Sequence, residues 1–166
     1  MNSHFKIFVQ KISSPIRFGF FLATKLPAAF FVGLKLKSIN EQACTILVKH
    51  SWFSKNPFKS VYFAAEAMAA EMSTGLLAFG HIYNRYPKVS MLVIKMEAEY
   101  LKKGTGKLCF TCNDGTKVEE AINRAIETGE GQTLVCKSEG KNENGEIVAN
   151  FHFTWSFKAK KIISEI

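Results

Sequence analysis

From Ser60 to Phe79 the chain reads SVYFAAEAMAAEMSTGLLAF, a run of mostly small and apolar side chains rich in alanine and methionine. Such a run reads as a long helix. A helix this uniformly apolar does not rest on a wet surface with one side in water. It needs cover on most of its circumference, and that requirement constrains everything around it. Six strand-like segments flank it in the sequence. The simplest arrangement is α+β: a predominantly antiparallel sheet wrapped around one long central helix.

The cover can be read from periodicity. LKLKSI and ACTILVKHSWF, joined by NEQ, form a hairpin pattern. VSMLVIKMEAEYLKK alternates Lys95, Glu97 and Glu99 with Met96, Ala98 and Tyr100. TGKLCFTC, QTLVCKSEG and EIVANFHFTWSFKAK follow, and the last sets Phe151, Phe153, Trp155 and Phe157 on one face. DGTKVEEAINRAIETG reads as a helix capped by Asp114 and stopped by Gly129. Ahead of the first strand, HFKIFVQKI places Phe5, Phe8, Val9 and Ile12 on one helical face, while Pro15 and Pro27 each open a further helix. No internal repeat is present. The expected organisation is an N-terminal helical extension, residues 1–24, and one domain, residues 25–166.

A chain of 166 residues with 15 phenylalanines can bury a sizeable core in one domain. It lacks 18 consecutive uncharged apolar residues and an A-x-A-like cleavage site, so neither a spanning helix nor a signal peptide is expected and the reading is cytoplasmic. Charge is uneven. Residues 1–59 hold nine Lys or Arg and one acid, whereas residues 60–166 hold thirteen of each. The basic part suits an anionic partner, or is simply a solvated positive surface. Cys109 and Cys112 are formally C-x-x-C, but in a strand they point to opposite faces. The four histidines have no ligand spacing, so free thiols in a reducing compartment are expected, with no metal and no cofactor.

Two glutamates interrupt the apolar run. At about 100° per residue, Val61, Ala65, Met68, Met72, Leu76 and Phe79 share one helical face. Glu71 lies along its edge with Ala64 and Gly75, and Glu66 falls almost opposite, where it is expected to meet solvent or a partner subunit. A carboxylate at the edge of a buried face is costly unless paired. Glu71 is thus either a structural group bonded to a strand or a base whose pKa desolvation has raised.

The stretch NPFKSVYFAAEAMAAEMSTG resembles the hotdog-fold acyl-CoA thioesterases of the phenylacetyl-CoA type. These carry an asparagine, a glycine turn, His-Gly-Gly, and a helix bearing an acid. Asn56 matches the asparagine, Lys59 the glycine, Tyr62, Phe63 and Ala64 the His-Gly-Gly, and Glu71 the acid. KLPAAFFVGLKLKSI is similar to the family's approach to its first strand. The variant wording is that of a poorly characterised, thioesterase-like branch, a domain of unknown function. The resemblance implies a hotdog fold and a homodimer or dimer of dimers. It implies a CoA or acyl-carrier thioester as substrate and not nucleic acid. Glu71 would be base or nucleophile, Asn56 would orient substrate or water, and the Phe63 and Ala64 N–H groups would hold the oxyanion. Tyr62 and Lys59 would line the substrate site, and basic residues would hold CoA phosphates. The alternative is a non-catalytic acyl- or lipid-binding hotdog protein, since the glycines are replaced. For residues 1–24 the expectation is core extension first, a lid over the acyl pocket second, and weak membrane contact third.

Overall fold

The computed structural model describes residues 3–160. The outermost parts of both predicted units, residues 1–2 and 161–166, lie outside it.

Three short helices come first: α1 (Ser3–Ile12), α2 (Pro15–Lys25) and α3 (Pro27–Val32). Pro15 and Pro27 occupy first-turn positions, where a missing N–H costs nothing. Gly33 closes α3 at φ 81°, a left-handed conformation that favours glycine. The hairpin β1 (Lys35–Ile39) and β2 (Cys44–Lys49) leads through a long loop to α4 (Phe63–Ile82). Then follow β3 (Val89–Tyr100), β4 (Lys107–Cys112), α5 (Gly115–Thr128), β5 (Gln132–Lys141) and β6 (Ile147–Ala159).

All six strands form one sheet in the order β1-β2-β4-β5-β6-β3, with every neighbouring pair antiparallel. The sheet curls around α4, which packs on β2, β4 and β5 and touches β6 and β3. Alternation decides which side chains point inward. Cys44, Ile46 and Val48 of β2, Leu108 and Phe110 of β4, and Phe151, Phe153, Trp155 and Phe157 of β6 are all buried. Two polar ties fix the helix within this shell. The Trp155 indole N–H donates to Thr74 Oγ1 at 3.0 Å, and the Ser73 and Ser138 hydroxyls lie 2.8 Å apart.

The N-terminal helices belong to the same apolar core. Phe5, Phe8 and Ile12 of α1 and Phe18 and Leu22 of α2 are buried within it. A Cβ at position 80 would stand 2.5 Å from the Phe5 ring, so Gly80 is what lets α1 lie against α4.

Several expectations need correction. The long helix begins at Phe63, after Tyr62, and runs three residues past Phe79 to Ile82. Its burial is not confined to one face. Ala69, Ala70, Ser73, Thr74 and Leu77 are buried as well, while Phe79 is 38% exposed. Asp114 makes no side-chain cap to α5; its carboxylate accepts from the Lys137 N–H and from Lys117 Nζ, both at 2.8 Å. The long strand stops at Tyr100, and β2 stops at Lys49, short of the predicted Phe53. Glu66, expected to meet solvent or a partner, is 3% exposed. The wheel assumed a wet side; residues 101–106 cross over that side and close it.

Candidate active site

Asn56 organises the loop that delivers α4. Its side-chain oxygen accepts from the Phe58 N–H (2.9 Å), the Ser60 N–H (3.3 Å) and the Ser60 hydroxyl (3.1 Å). Its amide nitrogen donates to Ser60 Oγ at 2.9 Å. The carboxamide is thus used within its own turn rather than held out towards a ligand. Lys59 sits in that turn at φ 58°, a left-handed conformation normally given to glycine. Backbone bonds from Val61 to Gly104 (2.8 Å) and from Tyr62 to Ser54 (2.6 Å) then fix the chain as it enters the helix.

At that helix end the Tyr62 carbonyl accepts from the Ala65 and Glu66 N–H groups at 2.8 and 3.2 Å. The Phe63 and Ala64 N–H groups have no earlier carbonyl in the helix to serve them and project from the positive end of its dipole. The Phe63 side chain turns outward: it is 55% exposed and rests edge-on against the Tyr62 and Tyr100 rings, 4.7 and 6.3 Å away.

Glu71 lies two turns further on, half-buried. Two adjoining hollows share it, one of about 170 Å³ and one of about 240 Å³. The first runs beneath Phe21 and Phe79 to Met91 and Trp155; the second is closed by Pro27, Ala28 and Met68. Gly75 makes room, since a Cβ there would come within 2.9 Å of Glu71 Oε1. Burial raises the Glu71 pKa above the ordinary 4.5. Among the described residues no salt bridge or side-chain hydrogen bond offsets that desolvation.

Glu66 is the residue that sequence reasoning misplaced. Its carboxyl lies under the 101–106 segment, where a Cβ on Gly104 would stand 2.5 Å from Oε1. Oε2 is buried without a hydrogen-bond partner. Desolvation pushes its pKa up to about 7. The neighbouring Tyr100 phenol is pushed up to about 12, by burial first and by the Glu66 charge second.

Phe63 and Glu71 are on the same helix, eight residues and hence about 12 Å apart along its axis. Within one chain the two cannot meet the same carbonyl group. The residues matched by motif therefore fall into two sets: Asn56, Lys59, Tyr62, Phe63 and Ala64 around the helix start, and Glu71 in its middle beside Phe21, Leu26 and Trp155, which no motif pointed to.

Elsewhere, Cys112, Asp114 and Cys136 bring two sulfurs and a carboxylate within 4.8 Å of one another. All four cysteines are free. The carboxylate already serves Lys117 and Lys137, so we read this group as a hydrogen-bonded part of the core.

Among the described residues no helix is long and apolar enough to cross a membrane. No curated protein matches the sequence. Solved structures do share the fold. A Pseudomonas aeruginosa protein of unknown function, named a "Probable Thioesterase", is similar at 17% identity and a TM-score of 0.74, with 89% of this chain and 97% of that one covered. A thioesterase from Haemophilus influenzae is similar at 11% identity and a TM-score of 0.65, covering 92% and 95%. A protein of unknown function from Chlorobaculum tepidum is similar at 13% identity and a TM-score of 0.70, covering 89% and 98%. The architecture is the hotdog fold. Residues 16–157 match the family described as Domain of unknown function (DUF4442), and the chain belongs to that family.

Proposed function

We propose that this protein hydrolyses acyl thioesters of the CoA or acyl-carrier type, in a site built between two copies of the chain. The observation that carries this reading is Glu71: a desolvated, unpaired carboxylate held between two hollows lined largely by apolar side chains. Desolvation makes it a stronger base near neutral pH. Glu71 takes a proton from water as the water oxygen attacks the thioester carbonyl, or attacks that carbon itself to form a mixed anhydride that water then hydrolyses to the free acid and the glutamate. The N–H groups of Phe63 and Ala64 stabilise the oxyanion. The thiolate then leaves as the carbonyl re-forms and is protonated at sulfur.

The 12 Å between helix start and Glu71 supports dividing these roles between two chains, one subunit supplying the oxyanion donors and the other the carboxylate. The free edge of β3 offers the means. Leu92, Ile94 and Met96 are 64%, 53% and 48% exposed, an apolar edge that proteins seldom leave open. Pairing β3 with its counterpart would make one continuous sheet. In this arrangement Asn56 acts by fixing the turn before the helix. Tyr62 and Lys59 flank the bound substrate, and lysines of the basic region hold the phosphates. The expected location is the cytoplasm.

Thiol release measured over a panel of acyl-CoA chain lengths tests the activity. Hydrolysis by the wild type that survives Glu71→Gln unchanged would remove the catalytic assignment. No hydrolysis of any chain length would favour an acyl-binding protein. Light scattering at micromolar concentration tests the assembly, and a monomer there would overturn the shared site.

A further inference from the structure

Phe21 and Phe79, which line the first hollow at Glu71, also wall a separate and larger groove of about 790 Å³ between α1, α2 and the end of α4. Its walls are Phe8, Ile12, Ile16, Phe20, Phe21 and Phe79. Ile16 and Phe20 are 84% and 72% exposed, the apolar surface such a groove leaves in water when nothing fills it. Lys11, Arg17 and Lys25 also border it. Two of these cations are turned to other work: Lys11 Nζ donates to the Tyr83 hydroxyl at 2.6 Å, and Arg17 donates to the Gln10 carbonyl. Their stems then add apolar wall rather than open charge. A groove of this kind suits hydrocarbon better than an anionic head group.

Phe21 and Phe79 line both spaces, and Lys25 lines both the groove and the second hollow at Glu71. Measured along α4, Glu71 to Tyr83 is twelve residues, about 18 Å. A short acyl group with its carbonyl at Glu71 fills only the near hollow. A long unbranched chain that continued past Phe21 and Phe79 would reach the groove.

We propose that the groove between α1 and α2 receives the distal half of a long acyl chain whose thioester carbonyl lies at Glu71. Long-chain acyl thioesters are then the favoured ligands, and the N-terminal helices set chain length. This rests on the reading of Glu71 given above.

The test is binding of butyryl-, octanoyl- and palmitoyl-CoA at sub-micellar concentration to the Glu71→Gln protein, with hydrolysis by the wild type followed in parallel. Each methylene moved out of water is worth roughly fourfold in affinity. Because the groove is open on one side, the palmitoyl ester should bind about tenfold or more tighter than the octanoyl ester. Thr24→Trp fills the groove and Phe20→Glu places charge in it. Both positions are exposed, and unchanged melting temperatures would show that the fold is kept. Each variant should collapse the palmitoyl-to-butyryl ratio. A ratio near one in the parent protein, or a high ratio that both variants leave intact, would overturn the proposal. Chain-length-dependent binding without hydrolysis of any ester would retain the groove and remove the enzymatic reading. Hydrolysis with no preference for length would do the reverse.

Discussion

Glu66 and Glu71 stand five positions apart on α4, and the fold treats them in opposite ways. On the Glu66 side the helix is sealed: Gly104 lies against the carboxyl, and one oxygen has no partner. In the buried middle of the helix Glu71 is itself only half buried, and it faces two hollows lined from α2 and α3. Both carboxyls have raised pKa values from burial. A raised pKa therefore does not distinguish a working carboxylate from an enclosed one. Access does. Glu71 has room beside it for a reacting carbonyl, whereas Glu66 has a glycine and a tyrosine.

The sharpest way to break this contrast is at Glu71. Glu71→Gln should lower the steady-state rate of thiol release by roughly 10²–10⁴-fold, as expected for loss of a general base, with the melting temperature unchanged. In the wild type, kcat/KM should rise with pH along an acid limb that reports this carboxyl. Because burial raises its pKa, the limb should lie above 4.5. A limb at or below that value would count against Glu71 as the base.

The other half of the shared site is tested at the helix start. Phe63→Pro removes one N–H at a first-turn position, and Tyr62 before it is already extended at ψ 135°, as a residue preceding proline prefers. Loss of one oxyanion donor should cost about 10²–10³-fold in kcat. Mixing subunits bearing Phe63→Pro with subunits bearing Glu71→Gln should restore activity, since each mixed dimer regains one complete site. Mixed dimers as inactive as their parents would place both groups in separate functions.

Glu66 sharpens the contrast from the other side. Glu66→Gln should leave thiol release within a few-fold of wild type. Its effect should appear in stability and depend on pH. The folded carboxyl titrates near 7 and the unfolded one at the ordinary 4.5. Below the lower value both states are protonated and no penalty exists. Stability falls as pH rises through this window and stays reduced above it. The glutamine variant should therefore unfold at higher urea concentration than wild type at pH 8, by on the order of 1–3 kcal/mol, and match it at pH 4. A variant no more stable at pH 8 would mean that the carboxyl is solvated after all.

The smallest effect is expected at Lys59. Glycine there relieves a left-handed lysine, and Lys59→Gly should stabilise by up to about 1 kcal/mol in thermal melts. A fall in melting temperature would instead assign the lysine side chain a structural contact.

The sheet was legible where its strands alternate, as in β6: Phe151, Phe153, Trp155 and Phe157 cannot be buried except on a common face. The helix was legible as an element but not in its burial. A wheel assumes that one side stays wet, and nothing local to Glu66 announces that Gly104, thirty-eight residues later, will cover it. The position of Asn56 could be matched by motif, but the hydrogen bonds that occupy its carboxamide depend largely on how Ser60 folds back. The hollow at Glu71 was illegible for a related reason. Phe21, Leu26 and Pro27 lie more than forty residues before it, in helices whose own patterns do not say which neighbour they meet.

The strand order also governs how the chain is made. β3 is synthesised before β6, yet among the described residues it pairs only with β6, the last strand, which sits between it and β5. At roughly 5–20 residues per second on the ribosome, the interval spent translating residues 101–159 leaves β3 without its partner for several seconds. Over that time its apolar side chains are available to wrong partners, including another nascent copy. The alternation of Lys95, Glu97 and Glu99 along the strand then acts as a gatekeeper during synthesis, holding off aggregation until β6 arrives.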